Sequence, residues 1–126
     1  MSLSFAEPAA LAWLEAASAA EIDALPFGVV AMSGDGVVVL YNEEEARFSG
    51  LTPSRVVGRH FFRSVAPCTN NYMIAQRFES EAELDATIGY VFTLRMAPTP
   101  VQLRMLRSGA AQRMYLLVEK RGADGR

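Results

Sequence analysis

Two apolar runs around a polar tetrapeptide give the first expectation about the fold. Residues 27–32 (Phe-Gly-Val-Val-Ala-Met) and 37–41 (Val-Val-Val-Leu-Tyr) flank Ser33-Gly34-Asp35-Gly36. This predicts a β-hairpin, because Asp-Gly supplies the positive φ angles that a tight turn needs. Upstream, residues 8–25 are alanine-rich and carry Leu11, Leu14, Ala17, Ile22 and Leu25 as their apolar positions. Pro8 in a first turn and Glu21-Ile22-Asp23 near a second start predict two short helices joined near Ser18, with Trp13 as the anchor. Downstream of the hairpin, Asn42 is placed to cap a helix over residues 42–48, Glu43 to Glu45 suit its N-terminal dipole, and Gly50 suits its end. Thr52-Pro53 starts a further short helix ending near Gly58, and His60-Phe61-Phe62 leads into a loop around Cys68. Residues 70–83 read as a helix with Met73, Ile74 and Phe78 on its apolar face. Three strand-like runs follow at 86–95, 101–106 and 113–119.

The order is strand, strand, short helices around a loop, a longer helix, then three strands. It predicts an α+β domain: a five-stranded antiparallel sheet with helices inserted between strands 2 and 3 and a short N-terminal helical cap. The helices are expected to cover one face of the sheet, with a ligand between helices and sheet. The expected organisation is a single domain, with residues 1–25 as cap, 26–121 as core and 122–126 as a frayed tail.

Composition narrows the function classes. The chain has 126 residues, 51% hydrophobic and 21% charged, with a net charge of −2, which fits a globular domain with a real core. Its arginines are scattered rather than clustered, so nucleic acid is not an expected partner. No apolar run approaches the ~20 residues of a membrane span. The N-terminal residues lack a basic segment and there is one cysteine, so the expected location is the cytoplasm.

That cysteine, Cys68 in Val65-Ala66-Pro67-Cys68-Thr69, has no partner for an internal disulfide. Its chemistry is metal binding, redox, nucleophilic attack, covalent attachment, or only that of a small buried hydrophobe. No histidine or second cysteine cluster supports a metal, so no metal site is expected. A thiol enzyme would need a base, and His60 is the sole histidine. With Tyr41 and the glutamates Glu43 to Glu45, the thiol could instead build a pocket for a covalently attached acidic ligand.

Several strings then carry a resemblance: Ile22-Asp23-Ala24-Leu25-Pro26-Phe27-Gly28, Gly34-Asp35-Gly36, Tyr41-Asn42, Gly50, Gly58, Phe61-Phe62 and Val65-Ala66-Pro67-Cys68-Thr69, then Phe92, Met96, Pro98-Thr99 and Lys120-Arg121. Over residues 22–121, with a gap between Phe78 and Ile88, the chain resembles the photoactive yellow protein family, bacterial blue-light receptors on a PAS fold. The resemblance implies 4-hydroxycinnamic (p-coumaric) acid as a thioester on Cys68, with Tyr41 and Glu45 bonding its phenolate. It also implies Ser49 supporting the tyrosine, and Phe92 and Met96 packing on the ring and tail. The implied function is a switch without turnover of a substrate: trans–cis isomerisation, with Glu45 handing over its proton, drives a conformational signal. Holding Glu45 protonated requires a large upward shift from ~4.3, which burial can produce.

The resemblance has departures. Leu51 stands where well-known members have an arginine, and Leu94 where they have an aromatic residue. Residues 70–78 and the alanine-rich cap are this chain's own. A non-photoactive PAS ligand-binding or interaction module is the alternative. The expected partner is an unknown downstream signalling protein, reached through residues 8–25, from a monomer or weak homodimer.

Overall fold

The computed structural model describes residues 3–93 and 98–120. Helices α1 (Ala10–Ala16) and α2 (Ala19–Asp23) precede strands β1 (Gly28–Met32) and β2 (Val38–Tyr41). Next come α3 (Glu43–Ser49), α4 (Pro53–Val56), a π-helical turn (Phe61–Val65), a 3-10 turn (Pro67–Thr69) and α5 (Ala75–Ser80). Strands β3 (Leu84–Phe92), β4 (Thr99–Arg107) and β5 (Met114–Lys120) complete one antiparallel sheet ordered β2-β1-β5-β4-β3. This is the predicted α+β architecture, a PAS fold.

The sheet is covered on both faces, where helices on one face were expected. Along β1, Val30 and Met32 enter a core with Phe61, Phe62, Ile74 and Phe78 from the inserted segment. The alternate residues Val29 and Ala31 enter a second core with Leu14, Ile22 and Leu25 from the N-terminal segment. In β5, Met114, Leu116 and Val118 face the first core, and Tyr115 and Leu117 the second. Alternating side chains thus bury on opposite faces, which is why these strands read as unbroken apolar runs.

Local signals set most boundaries. Ser18 and Glu21 form a reciprocal capping box that starts α2 near the expected junction. In the hairpin turn only Gly36 has positive φ, at 85°; Asp35 does not, contrary to expectation. Leu14 is the fully buried anchor of α1, whereas Trp13 is only partly buried at the edge of the second core. The expected helix over 70–83 shrinks to Ala75–Ser80, because the Asn71 side chain caps the backbone instead. Its Oδ1 accepts from Met73 N and Ile74 N, at 2.9 and 3.2 Å. Strand β3 begins two residues earlier than expected, at Leu84, and Asp85 is tolerated there because Arg104 grips it from β4. The expected end of that strand near Arg95 and the expected frayed tail lie outside the described residues.

Candidate functional site

The site is organised where β2 ends. Tyr41 closes the strand, Asn42 caps α3, and Glu45 lies in the first helical turn. Asn42 is fully buried. Its Oδ1 accepts from Glu45 N at 3.1 Å and Val29 N at 2.8 Å, and its Nδ2 donates to the carbonyls of Ile22 and Phe27, both at 3.0 Å. All of its hydrogen-bonding capacity is used, which fixes the start of α3 against β1 and the end of α2. Helical rotation then separates the three glutamates: Glu43 is exposed, Glu44 intermediate, and Glu45 0% exposed. Ser49, one turn later, shares the inward face with Glu45.

Among the described residues, neither carboxyl oxygen of Glu45 has a hydrogen-bond partner. Burial first, and the neighbouring Glu44 charge second, push the Glu45 carboxyl up to about 8. At neutral pH it is therefore a protonated acid, able to donate. The Tyr41 hydroxyl donates to Ser49 Oγ at 2.8 Å, and Leu51 N donates to the same oxygen at 3.2 Å. Burial raises the Tyr41 phenol well above its ordinary value; an ionised Glu45 adds to this and the Ser49 bond opposes it. Both groups are thus held neutral.

Cys68 sits in the 3-10 turn that follows the π-helical turn, half-buried. Single π turns inside helical segments occur often at functional sites. Its backbone is held from two sides. Tyr90 Oη, on β3, donates to the Cys68 carbonyl at 2.6 Å. Asn71 Nδ2 donates to the same carbonyl at 3.1 Å and to Tyr90 Oη at 2.6 Å. Next to it, Thr69 is fully buried and its hydroxyl donates to the Ala66 carbonyl at 2.7 Å. Phe92 is buried, with its ring centroid 6.0 Å from Phe48 and 6.0 Å edge-on from Tyr90.

Tyr41 and Phe92 belong to the core between sheet and inserted helices, with Cys68, Leu51 and Phe48 packed against it. Ser49 joins them through its bond to Tyr41. Met96 and Leu94 lie outside the described residues. His60 is committed elsewhere: its Nδ1 accepts from Arg63 N at 3.2 Å, capping the π-helical turn. Sequence reasoning missed Asn71 and Tyr90 as supports of the cysteine backbone. Tyr90 carried a signal, as a phenol in the strand two residues before Phe92, but Asn71 read as part of a helix.

These residues fit the chromophore that the resemblance implies. The Tyr41 phenol is buried in the apolar core against which Cys68 packs, and the neutral Glu45 carboxyl is buried near that phenol. The carboxyl, buried without a partner among the described residues, is an exception among buried polar groups that calls for an explanation.

Comparison with known proteins shows the family. The PAS fold model matches residues 18–118. Photoactive yellow protein of Rhodothalassium salexigens is 33% identical over 104 residues, covering 80% of this chain and 83% of its own. That of Halochromatium salexigens is 30% identical over 103 residues, covering 79% and 82%. The crystal structure of the photoactive yellow protein domain from the sensor histidine kinase Ppr of Rhodospirillum centenum has a TM-score of 0.79 and 42% identity, covering 86% of this chain and 98% of that one. A PAS domain of an HTR-like protein from Haloarcula marismortui, at 14% identity and a TM-score of 0.65, shares the fold. With the PAS fold matched over most of its length and relatives of this identity, this chain belongs to the photoactive yellow protein family of PAS-type sensors.

Proposed function

We propose that this chain is a blue-light photoreceptor carrying 4-hydroxycinnamic acid as a thioester on Cys68. One observation supports this above the others: the Glu45 carboxyl is fully buried and unpartnered among the described residues, and lies near enough to Tyr41 for its charge to act on the phenol. The bound group would supply visible absorption and a light-driven trans–cis isomerisation. Tyr41 and Glu45 would hold its phenolate, two donors that add no charge of their own to the core. Ser49 can turn its hydroxyl toward Tyr41, which frees the Tyr41 proton to point at the phenolate. Tyr90 and Asn71 tie the backbone of Cys68 to β3, and Phe92 with Phe48 keeps the surroundings apolar. Met96 is assigned a packing role with them. Leu51 brings no charge to the site and packs against its apolar core.

The signalling step rests on Glu45. Once its proton is gone, the carboxylate has no partner among the described residues, and burying such a charge costs several kcal/mol. That strain acts on α3 and, through Asn42, on Ile22 in α2. The response then passes through residues 8–25 to a downstream signalling protein in the cytoplasm. The test is intact mass after mixing the apoprotein with activated 4-hydroxycinnamic acid. The expected result is a gain of one hydroxycinnamyl unit that Cys68→Ala abolishes. Absence of a stable adduct on the native protein would favour the non-photoactive PAS module.

A further inference from the structure

Gly28 stands at the start of β1, buried and paired with Val118 of β5. Its backbone does not require glycine, because the positive-φ glycines among the described residues are Gly36, Gly50 and Gly58. Glycine inside a strand weakens it and marks a close approach of another group. Here that group is Glu45. A Cβ at position 28 would meet Glu45 Oε1 at 2.1 Å and the Glu45 Cβ and Cδ atoms at 3.1 Å. Ordinary contact between carbon atoms is about 3.5–4.0 Å.

We propose that Gly28 is a positioning residue for Glu45: its bare Cα is the shelf on which the carboxyl lies inside the fold, and a side chain there turns the carboxyl out into solvent. The displaced group has a place to go. A groove of about 690 Å³ opens beside it, touching both Gly28 and Glu45 and walled by Phe27, Phe48 and Thr99. Of the charged and titratable groups, Glu44 from α3 and Tyr41 from β2 act on Glu45 directly, and Arg47 from α3 with Glu119 and Lys120 from β5 line the groove beside it. In the groove the two cations, Arg47 and Lys120, are matched by two carboxylates, Glu44 and Glu119, so it is water, by ending the burial that holds the acid neutral, that would favour the ionised carboxylate. The inference deepens the proposed function and rests on its reading of Glu45 as a held proton.

The test uses the apoprotein, so it does not depend on chromophore loading. The infrared band of the protonated Glu45 carboxyl, assigned by its loss in Glu45→Gln, is titrated against pH in wild type and in Gly28→Ala. The expected result is a band present at neutral pH in wild type, whose midpoint falls by more than about one pH unit in Gly28→Ala. A purely structural glycine would lower the melting temperature and leave that midpoint unchanged, which would overturn the proposal. The same substitution is also made on Glu45→Ala, where the obstructing side chain is gone. There Gly28→Ala should cost much less stability than in wild type, and should fold even if Gly28→Ala alone does not. Equal costs in both backgrounds, or an unfolded double variant, would refute the shelf. A wild-type protein with no such band at neutral pH would instead refute the held proton, and the shelf with it.

Discussion

The two faces of the sheet bury ionisable groups in opposite ways. On the face covered by the N-terminal segment, the largely buried Arg104 donates a two-pronged pair of bonds to Asp85, at 2.9 and 2.8 Å, and reaches the carbonyls of Phe5 at 2.9 Å and Glu7 at 2.7 Å. Nearby, Tyr115 donates to one oxygen of Glu15 at 2.8 Å, while Gln112 N donates to the other at 2.9 Å. On the face covered by the inserted helices, Glu45 is buried more completely and has no partner among the described residues. One face satisfies its polar groups and is built to stay in place. The other keeps a neutral acid whose ionisation the fold resists, which makes protonation a lever on structure.

The largest expected effect comes from removing that lever. The Glu45 carboxyl is raised from 4.5 to about 8, so its protonated form favours folding fully below 4.5 and that contribution is lost as the pH rises through 8. Across this window of three and a half units, at about 1.4 kcal/mol each, the loss amounts to about 5 kcal/mol. Glu45→Gln should abolish this slope, measured as urea midpoints of apoprotein from acid to mildly alkaline pH. An unchanged slope would mean that the two faces do not differ as described.

The opposite face gives a control with the reverse signature. Arg104→Met removes a partnered cation and strands two carbonyls, so it should cost about 3 kcal/mol at neutral pH. Its effect should not track the Glu45 titration. Asn42→Ser tests the joint between the faces: the acceptor that caps α3 is kept, but the donations to Ile22 and Phe27 are lost. About 2 kcal/mol of destabilisation is expected, with faster hydrogen exchange at the end of α2 as the local readout. Tyr41→Phe is the mildest, at about 1 kcal/mol by urea unfolding, because it deletes one hydrogen bond and Ser49 keeps its bond from Leu51 N.

Much of this contrast is written in short stretches of sequence. The unbroken run over 27–32 fixes a strand, Asn42 a helix cap and Gly50 its end, each through local chemistry. The motif around Cys68, with Tyr41 upstream, marks the proposed site through its resemblance to the family. What distinguishes Glu45 from Glu43 and Glu44 is less visible, since three adjacent glutamates look alike until the cap sets their rotation. Gly28 reads as one glycine in an apolar run because its reason lies in a side chain seventeen residues away. Asn71 was hidden for a related cause: its amide competes with the helix backbone and reaches Tyr90 across the fold. The grip of Arg104 on Phe5 and Glu7 joins the two ends of the chain, beyond the reach of periodicity.

In the proposed light switch, Glu45 is an acid held neutral and without a partner among the described residues. The most direct test of that switch is the visible spectrum of wild-type protein loaded with 4-hydroxycinnamic acid, before, during and after blue light. The account predicts a red-shifted visible band that bleaches on illumination and recovers in the dark, with Glu45→Gln altering both its position and its recovery. A protein acylated on Cys68 that shows no red-shifted band, or one that light leaves unchanged, would contradict it.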